Sequence, residues 1–326
     1  MFNFYFFVHT IYMKKIFVIN HPEVFHEDNL FNNINNYFEG WYFRCSSKSM
    51  SISFIPGVSI YNGKKSAFIQ VITNNNSYYI PYSFEDFSYS ISPFSIRISK
   101  NYFSLNNVEL NINQKDIKLN GTLSFSELSN LKKKFLSPNI MGPFSFVPSM
   151  ECNHAILSMK HSICGNLEFN NSLINFDNGI GYCEKDFGIS FPKSYVWCQC
   201  NCFKDSDTSL FLSIANIPFK SIHFTGFICV VNIGGKEYRF TTYNASRIKS
   251  FVVDNSSICV TLKRGSLILN IDAKMNNSFV LKSPKFGEMK NCILESVDSK
   301  ISVSLYKNNS CVFSDISDCA GLEIVK

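Results

Sequence analysis

Short runs of alternating, β-branched and aromatic residues, each closed by turn chemistry, leave this chain little choice of fold class. In the first half the runs are Phe38 to Arg44, Ser51 to Ile55, Ala67 to Ile72, Ser77 to Pro81, Phe94 to Ile98 and Ile117 to Phe125. In the second they are Leu167 to Phe169, Val196 to Phe203, Ser209 to Ile214, Gly226 to Val231 and Tyr238 to Tyr243. Ser250 to Val253, Ile258 to Leu262, Leu267 to Ile271 and Ile301 to Tyr306 complete the series. Asn62-Gly63, Asn74-Asn75-Asn76, Asn120-Gly121 and Gly234-Gly235 read as turns. Helical periodicity is weak, with Ser126 to Phe135 the best short candidate. The expectation is an all-β protein.

The two tryptophans, Trp41 and Trp197, stand 156 residues apart in a chain of 326, and superposing them exposes an internal repeat. After each comes a second run, a third, a short Gly/Asn turn and a fourth, the pattern of a duplicated antiparallel meander. Closed or nearly closed barrels hide the edges of such meanders, and a small barrel either fills with side chains or encloses one apolar ligand. A soft prior of about 150 residues per domain agrees with two domains. The repeat divides the chain into a first β domain over 29–190 and a second over 191–326, with 1–28 as an N-terminal extension.

Composition narrows the function classes. Apolar residues at 45%, charged residues at 17% and a mean hydropathy of +0.01 exclude a disordered chain. No stretch approaches the ~18 consecutive apolar residues of a spanning helix. The net charge of +6 is mild, and its one tight cluster, Lys132 to Lys134, reads as a solvated loop, so no nucleic acid partner is expected. The 12 cysteines are scattered through a chain large enough to bury its own cores, which points to reduced thiols. Met1 to Tyr12 lack a basic flank and a cleavage site, and Met13-Lys14-Lys15 offers a second start whose apolar run ends at His21-Pro22. The expected location is the cytoplasm.

Candidate chemistry gathers on four segments. On a strand over Tyr37 to Arg44, period-2 geometry sets Glu39 beside Trp41, with Tyr37 and Phe43 on the same face. In an apolar pocket Glu39 would be a neutral acid able to give up a proton; otherwise it closes a barrel mouth by pairing with Arg or Lys. The run from Trp197 sets Trp197, Gln199, Asn201 and Phe203 on one face and Cys198, Cys200 and Cys202 on the other. An indole and two amides suit the orientation of a polar group in an apolar pocket. The cysteine spacing does not match a structural zinc site, so no metal is expected. Gly179 to Gly188 contains Glu184, Lys185 and Asp186, a charge network at a domain junction or a proton-handling group. Glu151-Cys152-Asn153-His154 offers a histidine to orient a carboxylic acid. No nucleophile elbow, zincin motif, phosphate loop or dinucleotide fingerprint is present, and no cofactor is expected.

In their order these segments resemble the tocopherol cyclase family, bacterial members included. The resemblance rests on Tyr37-Phe38-Glu39-Gly40-Trp41-Tyr42-Phe43, on Met150 to His154 with Ser158-Met159, and on Gly181-Tyr182-x-Glu184-Lys185-Asp186-Phe187-Gly188-x-x-Phe191-Pro192. It continues through Trp197-x-Gln199-Cys200-Asn201-x-Phe203 to Ala320-Gly321-Leu322-Glu323, covering the chain from about Phe25 to the end. It implies two tandem lipocalin-like antiparallel barrel or sandwich domains. It also implies a cofactor-independent isomerase reaction: an alkene on a prenylated hydroquinone is protonated and the phenol oxygen captures the tertiary cation, giving a chromanol. The residues expected to serve are Glu39, Glu184 or Asp186 as acid, His154 as its partner, and Trp41, Tyr182 and Trp197 as cation-facing walls. Tyr42, Glu151, Lys185, Gln199 and Asn201 are expected to complete the substrate pocket. Two departures stand out: Phe187 replaces the usual tryptophan, and the plastid-targeting extension of plant members is absent, so another prenylated or polyunsaturated lipid is an equal candidate. The partner this implies is a lipophilic small-molecule substrate or ligand, for which a peripheral membrane contact would be one route of collection. The alternative is a carrier that uses the same pocket without chemistry.

Overall fold

A computed structural model describes residue 17 and residues 19–26, 34–134, 137–147, 150–205, 207–219 and 222–326, without the side chains of 219 and 222. Met1 to Tyr12, the Met13 start and Phe135 lie outside the described residues. Strands dominate. The first twelve are β1 Asn36–Ser46, β2 Ser51–Tyr61, β3 Lys64–Thr73, β4 Ser77–Ser83, β5 Phe87–Ile91 and β6 Phe94–Ile98, then β7 Asn101–Ser104, β8 Asn107–Asn113, β9 Lys118–Ser126, β10 Cys152–Phe169, β11 Ser172–Asn175 and β12 Gly179–Gly188. They form one antiparallel sheet in the order β4-β3-β2-β1-β12-β10-β9-β8-β7-β6-β5, with β11 on β10. The other ten are β13 Tyr195–Cys200, β14 Ser209–Phe219, β15 Ile222–Ile233, β16 Lys236–Thr241 and β17 Arg247–Val253, then β18 Ser257–Arg264, β19 Leu267–Lys274, β20 Phe279–Lys285, β21 Glu288–Lys307 and β22 Ser310–Val325. Their order is β16-β15-β14-β13-β22-β21-β19-β18-β17, with β20 on β21.

The two sheets share one plan: a four-strand meander whose first strand, β1 or β13, pairs with the last long strand of its own sheet, β12 or β22. The chain leaves each meander at a corner, the 3-10 turn Phe84–Asp86 in one and residues 242–246 in the other. No ladder joins β4 to β5 or β16 to β17 among the described residues, so the sheets are open lipocalin-like sandwiches rather than closed barrels.

Turn chemistry explains the hairpins. Asn62 and Gly63 (φ 49° and 74°) join β2 to β3, and Gly234 and Gly235 (φ 54° and 73°) join β15 to β16, the left-handed pairs that match strand twist. Asn120-Gly121, expected as a turn, lies inside β9, where Gly121 (φ 138°) lets β10 approach so closely that a Cβ would sit 2.3 Å from the Asn166 carbonyl oxygen. The helix expected from Ser126 is absent among the described residues, because Ser129 exchanges backbone hydrogen bonds with Lys160 and Met159 and runs extended beside β10.

Three apolar cores result. Each sheet curls around its own: Trp41, Phe43, Phe54, Ile69 and Phe103 in the first, and Val196, Cys198, Leu212, Phe240 and Val303 in the second. The third lies between the sheets, where Tyr42, Ile72, Met159 and Tyr182 meet Trp197, Phe211, Val230 and Val297. Both faces of β1 and β13 are therefore buried. Among the described residues no helix is long and apolar enough to cross a membrane.

Candidate active site

Between the sheets, beside the third core, a cavity of about 160 Å³ opens. Apolar groups make most of its wall, including Phe38, Ile55, Met141, Phe144, Phe191 and Leu281. Its charged or acid-base side chains include Glu151, His154, Glu184, Asp186, Lys282 and Glu323, with Cys152, Tyr42, Tyr195, Tyr243 and Trp197 beside them. A second hollow of about 380 Å³ is lined by polar and charged residues, Glu127, Lys132, Lys160, Asp207 and Glu237 among them.

Alternation on β12 aims Tyr182, Glu184 and Asp186 at the third core and the cavity, and turns Cys183, Lys185 and Phe187 the other way. The β10–β12 register sets His154 opposite Asp186, and His154 Nδ1 lies 2.7 Å from Asp186 Oδ1. The imidazole stacks on Phe211 with centroids 4.8 Å apart, and its Nε2 lies 3.4 Å from Glu184 Oε2. Burial alone would lower the His154 pKa, but the adjacent Asp186 and Glu184 raise it to about 9.

Glu184 accepts hydrogen bonds from the Tyr182 hydroxyl and from Trp197 Nε1, the latter at 3.1 Å, both on Oε2. Oε1 has no hydrogen-bond partner among the described residues. Burial raises the Glu184 pKa to about 7, with His154 opposing and Asp186 adding to the rise. A second acid faces the same cavity: Glu323, register partner of Trp197, accepts from the Tyr195 hydroxyl at 2.5 Å. Burial pushes it up to about 8, against the Tyr195 hydrogen bond and helped by the charge of Glu184. Behind it Glu295 accepts from the Tyr42 hydroxyl at 2.5 Å, and burial and the neighbouring Glu323 raise it well above the carboxylate range. The cavity wall thus carries two carboxyls, Glu184 and Glu323, that burial among apolar groups raises toward neutrality.

Of the residues expected at the site, Tyr42, Glu151, His154, Glu184, Asp186 and Trp197 line the cavity. Tyr182 stands behind Glu184 and reaches the cavity only through it. Glu39, Trp41 and Lys185 do not come to it. Of the two readings of Glu39, the one that put it with Trp41 at the pocket chose the wrong face of β1, and the one that paired it with a basic side chain is what the structure holds: Phe38, Gly40 and Tyr42 look into the cavity, while Glu39 and Trp41 look into the first sheet's own interior. There Lys185 Nζ lies 2.5 Å from Glu39 Oε1, between the rings of Trp41 and Phe187, and Trp41 Nε1 donates to the Glu23 carbonyl at 2.8 Å. Burial would raise the Glu39 pKa, but Lys185 and His26 lower it to about 2, so it is an ion-pair partner rather than an acid. Phe187 belongs to the same cluster and does not line the cavity. Gln199 and Asn201 keep the face expected of them but lie below the cavity floor: Gln199 Oε1 accepts from Arg44 at 3.3 Å, and Asn201 Nδ2 donates to the Gly181 carbonyl at 2.8 Å.

Sequence reasoning assigned no role to Glu323, Glu295 or Tyr195. Period 2 from Trp197 reaches Tyr195, and Glu323 stands in the Ala320 to Glu323 motif, so both carried a signal; Glu295 carried none. No metal was expected. His154, Glu184 and Asp186 present ligand atoms within 4.8 Å of one another, a spacing an ion could bridge, although His154 Nδ1 already bonds Asp186 and Glu184 Oε2 already accepts from Tyr182 and Trp197.

The tocopherol cyclase-like family matches residues 133–325, which takes in β10, β12, β13, β21 and β22 and so most of the polar site. No curated protein sequence matches the chain. Among solved structures, that of CghA with Sch210972 aligns over 89% of this chain and 89% of its own, with a TM-score of 0.56 and 8% identity. Kievitone hydratase from Nectria haematococca aligns over 89% of both chains, with a TM-score of 0.50 and 9% identity. At such identities the likeness is one of fold. The family match spans more than half of the chain and includes the acid-bearing strands that converge on the cavity, so this protein belongs to the tocopherol cyclase-like family.

Proposed function

We propose that the protein is an enzyme acting on a lipophilic substrate, closing a chromanol ring on a prenylated hydroquinone or a related lipid by proton transfer alone. The observation that carries this reading is Glu184: a carboxylic acid in an apolar cavity whose Oε2 takes every polar contact while Oε1 is left to face a ligand. Protonated on Oε1, it gives that proton to the less substituted alkene carbon, and the π electrons form the new C–H bond. The tertiary cation left behind meets the faces of Trp197 and Tyr42. The phenol oxygen attacks the cation, and its proton returns to the carboxylate, so no net proton is consumed. His154, held by Asp186, keeps the reacting end of Glu184 in place. Protonation of an alkene would equally begin a hydration, the reaction named in one of the fold neighbours, and the dry walls favour the internal nucleophile over water.

The test is incubation of the purified protein with a prenylated benzoquinol, followed by mass spectrometry of product and retained ligand. Wild type is expected to form chromanol and Glu184→Gln to lose about 10²-fold or more in rate. Chromanol formed by Glu184→Gln at the wild-type rate would remove Glu184 from the mechanism. Ligand retained without product would point to the carrier.

A further inference from the structure

Arg44 of β1 is buried in the inter-sheet region with 1% exposure. Its Nη2 donates to the carbonyls of Val297 at 2.8 Å and Cys319 at 3.0 Å, and its Nη1 to Gln199 Oε1 at 3.3 Å. Among the described residues no carboxylate lies within 4.0 Å of the guanidinium. A buried guanidinium without a counter-charge is costly, so the nearest group able to become an anion carries weight.

That group is the Cys319 sulfur, 3.5 Å from Arg44 Nη2. Ser51 Oγ lies 3.3 Å from the same sulfur and Cys202 Sγ 3.2 Å from it. Three polar neighbours therefore converge on one thiol, from β1, from the start of β2 and from the exit of β13. Cys198 and Cys200, on the same alternation as Cys202, are sealed in the second core, whereas Cys202 and Cys319 are half-buried. The Arg44 guanidinium contacts the Cys319 sulfur directly and so favours a thiolate on that member of the pair.

We infer that Cys319 and Cys202 form a peroxide-reactive dithiol site, with Cys319 as the attacking thiolate beside Arg44 and Cys202 as the resolving thiol. The Cys319 sulfur attacks one oxygen of hydrogen peroxide; the O–O bond breaks, giving a sulfenic acid and a hydroxide that leaves as water. Cys202, giving up its proton, attacks the sulfenic sulfur; the S–O bond breaks, a second water leaves and the disulfide closes. The cysteine pair loses two electrons and the peroxide gains them, and a dithiol reductant reverses the change. Closure neutralises the sulfur beside Arg44, where that side chain ties the first sheet to β13, β21 and β22.

Four exposed cysteines, Cys164, Cys259, Cys292 and Cys311, are internal controls in the wild-type protein. In brief alkylation with iodoacetamide at pH 6, read by peptide mass spectrometry, Cys319 is expected to react about tenfold faster than any of the four. Treatment with less than one equivalent of hydrogen peroxide is expected to give a non-reducing map in which Cys202 and Cys319 are joined. In Cys202→Ser, the sulfenic acid on Cys319 is expected to persist and be trapped by dimedone. Alkylation of Cys319 no faster than the exposed four, or oxidation of those four with Cys202 and Cys319 left unjoined, overturns the assignment; both readings need only the wild-type protein.

Discussion

The two tryptophan strands occupy equivalent places in sheets of the same plan, yet their indoles face opposite ways. Trp41 is buried in the core of its own sheet and donates to the Glu23 backbone, beside the Glu39–Lys185 ion pair. Trp197 points out of its sheet into the inter-sheet region and donates to Glu184. Core-facing residues are Trp41, Phe43 and Cys45 on β1 but Val196, Cys198 and Cys200 on β13, so the structural offset between the repeats is odd, not the 156 that superposes the tryptophans. A one-residue slip in a strand alignment exchanges its faces, and here it exchanges a buried ion pair for a carboxyl that lines the cavity. Like neighbours in sequence thus stand beside a buried ion pair in one sheet and at the cavity between the two.

The largest test of this contrast is side-chain deletion. Trp41→Ala should lose about 3–5 kcal/mol in denaturant unfolding, the usual cost of removing a fully packed indole. Trp197→Ala, which only widens an existing cavity, should lose clearly less; equal losses would make Trp197 an ordinary core residue. Next come the carboxylates. Glu39→Gln strands the Lys185 ammonium with 0% side-chain exposure for both partners, so a loss of about 3 kcal/mol is expected. Glu184→Gln replaces a group already neutral for much of the pH range and should stay within about 1 kcal/mol of wild type. A destabilisation by Glu184→Gln as large as that of Glu39→Gln would show the two acids to be structural alike.

The pH dependence of stability separates them by sign. Glu39 falls from 4.5 to about 2 on folding, so its contribution is present above pH 4.5 and lost as pH falls toward 2. Glu184 and Glu323 rise from 4.5 to about 7 and about 8, so theirs is present below pH 4.5 and lost as pH climbs through 7 to 8. Glu39→Gln should flatten the acid limb of a stability profile and Glu323→Gln the alkaline one; the reverse pattern would undo the assignment of charge states. The smallest effect belongs to Trp197→Phe, which removes one donor to the Glu184 carboxylate and should shift the alkaline limb of the rate profile upward. An unmoved limb would mean that the indole hydrogen bond does not tune the acid.

Much of the fold was legible because period-2 alternation and Asn/Gly turns are local properties: most of the strands of both meanders follow from them. The alternating runs left β12 and β22, and most of β10, unmarked, and these carry Glu184, Asp186, His154 and Glu323. Their polar residues break the hydrophobic rhythm because they face the cavity between the sheets. On β12 the polar segment singled out from sequence contains Glu184 and Asp186, which line the cavity, but local pattern could not separate them from Lys185, which faces the other way.

By itself, then, the sequence determined an all-β chain built twice on one meander plan, and a short set of carboxylates and a histidine of which Glu151, His154, Glu184 and Asp186 line the cavity. Only the tertiary structure decided where the cavity is and which face of each strand meets it. Alternation identifies an inside by contrast with a wetted outside, and β1 and β13 have no wetted side: each is buried by its own sheet's core on one face and by the other sheet on the opposite one. Where both faces are dry, the choice between Glu39 and Glu184 rests on contacts made across 145 residues of chain, which no local pattern records.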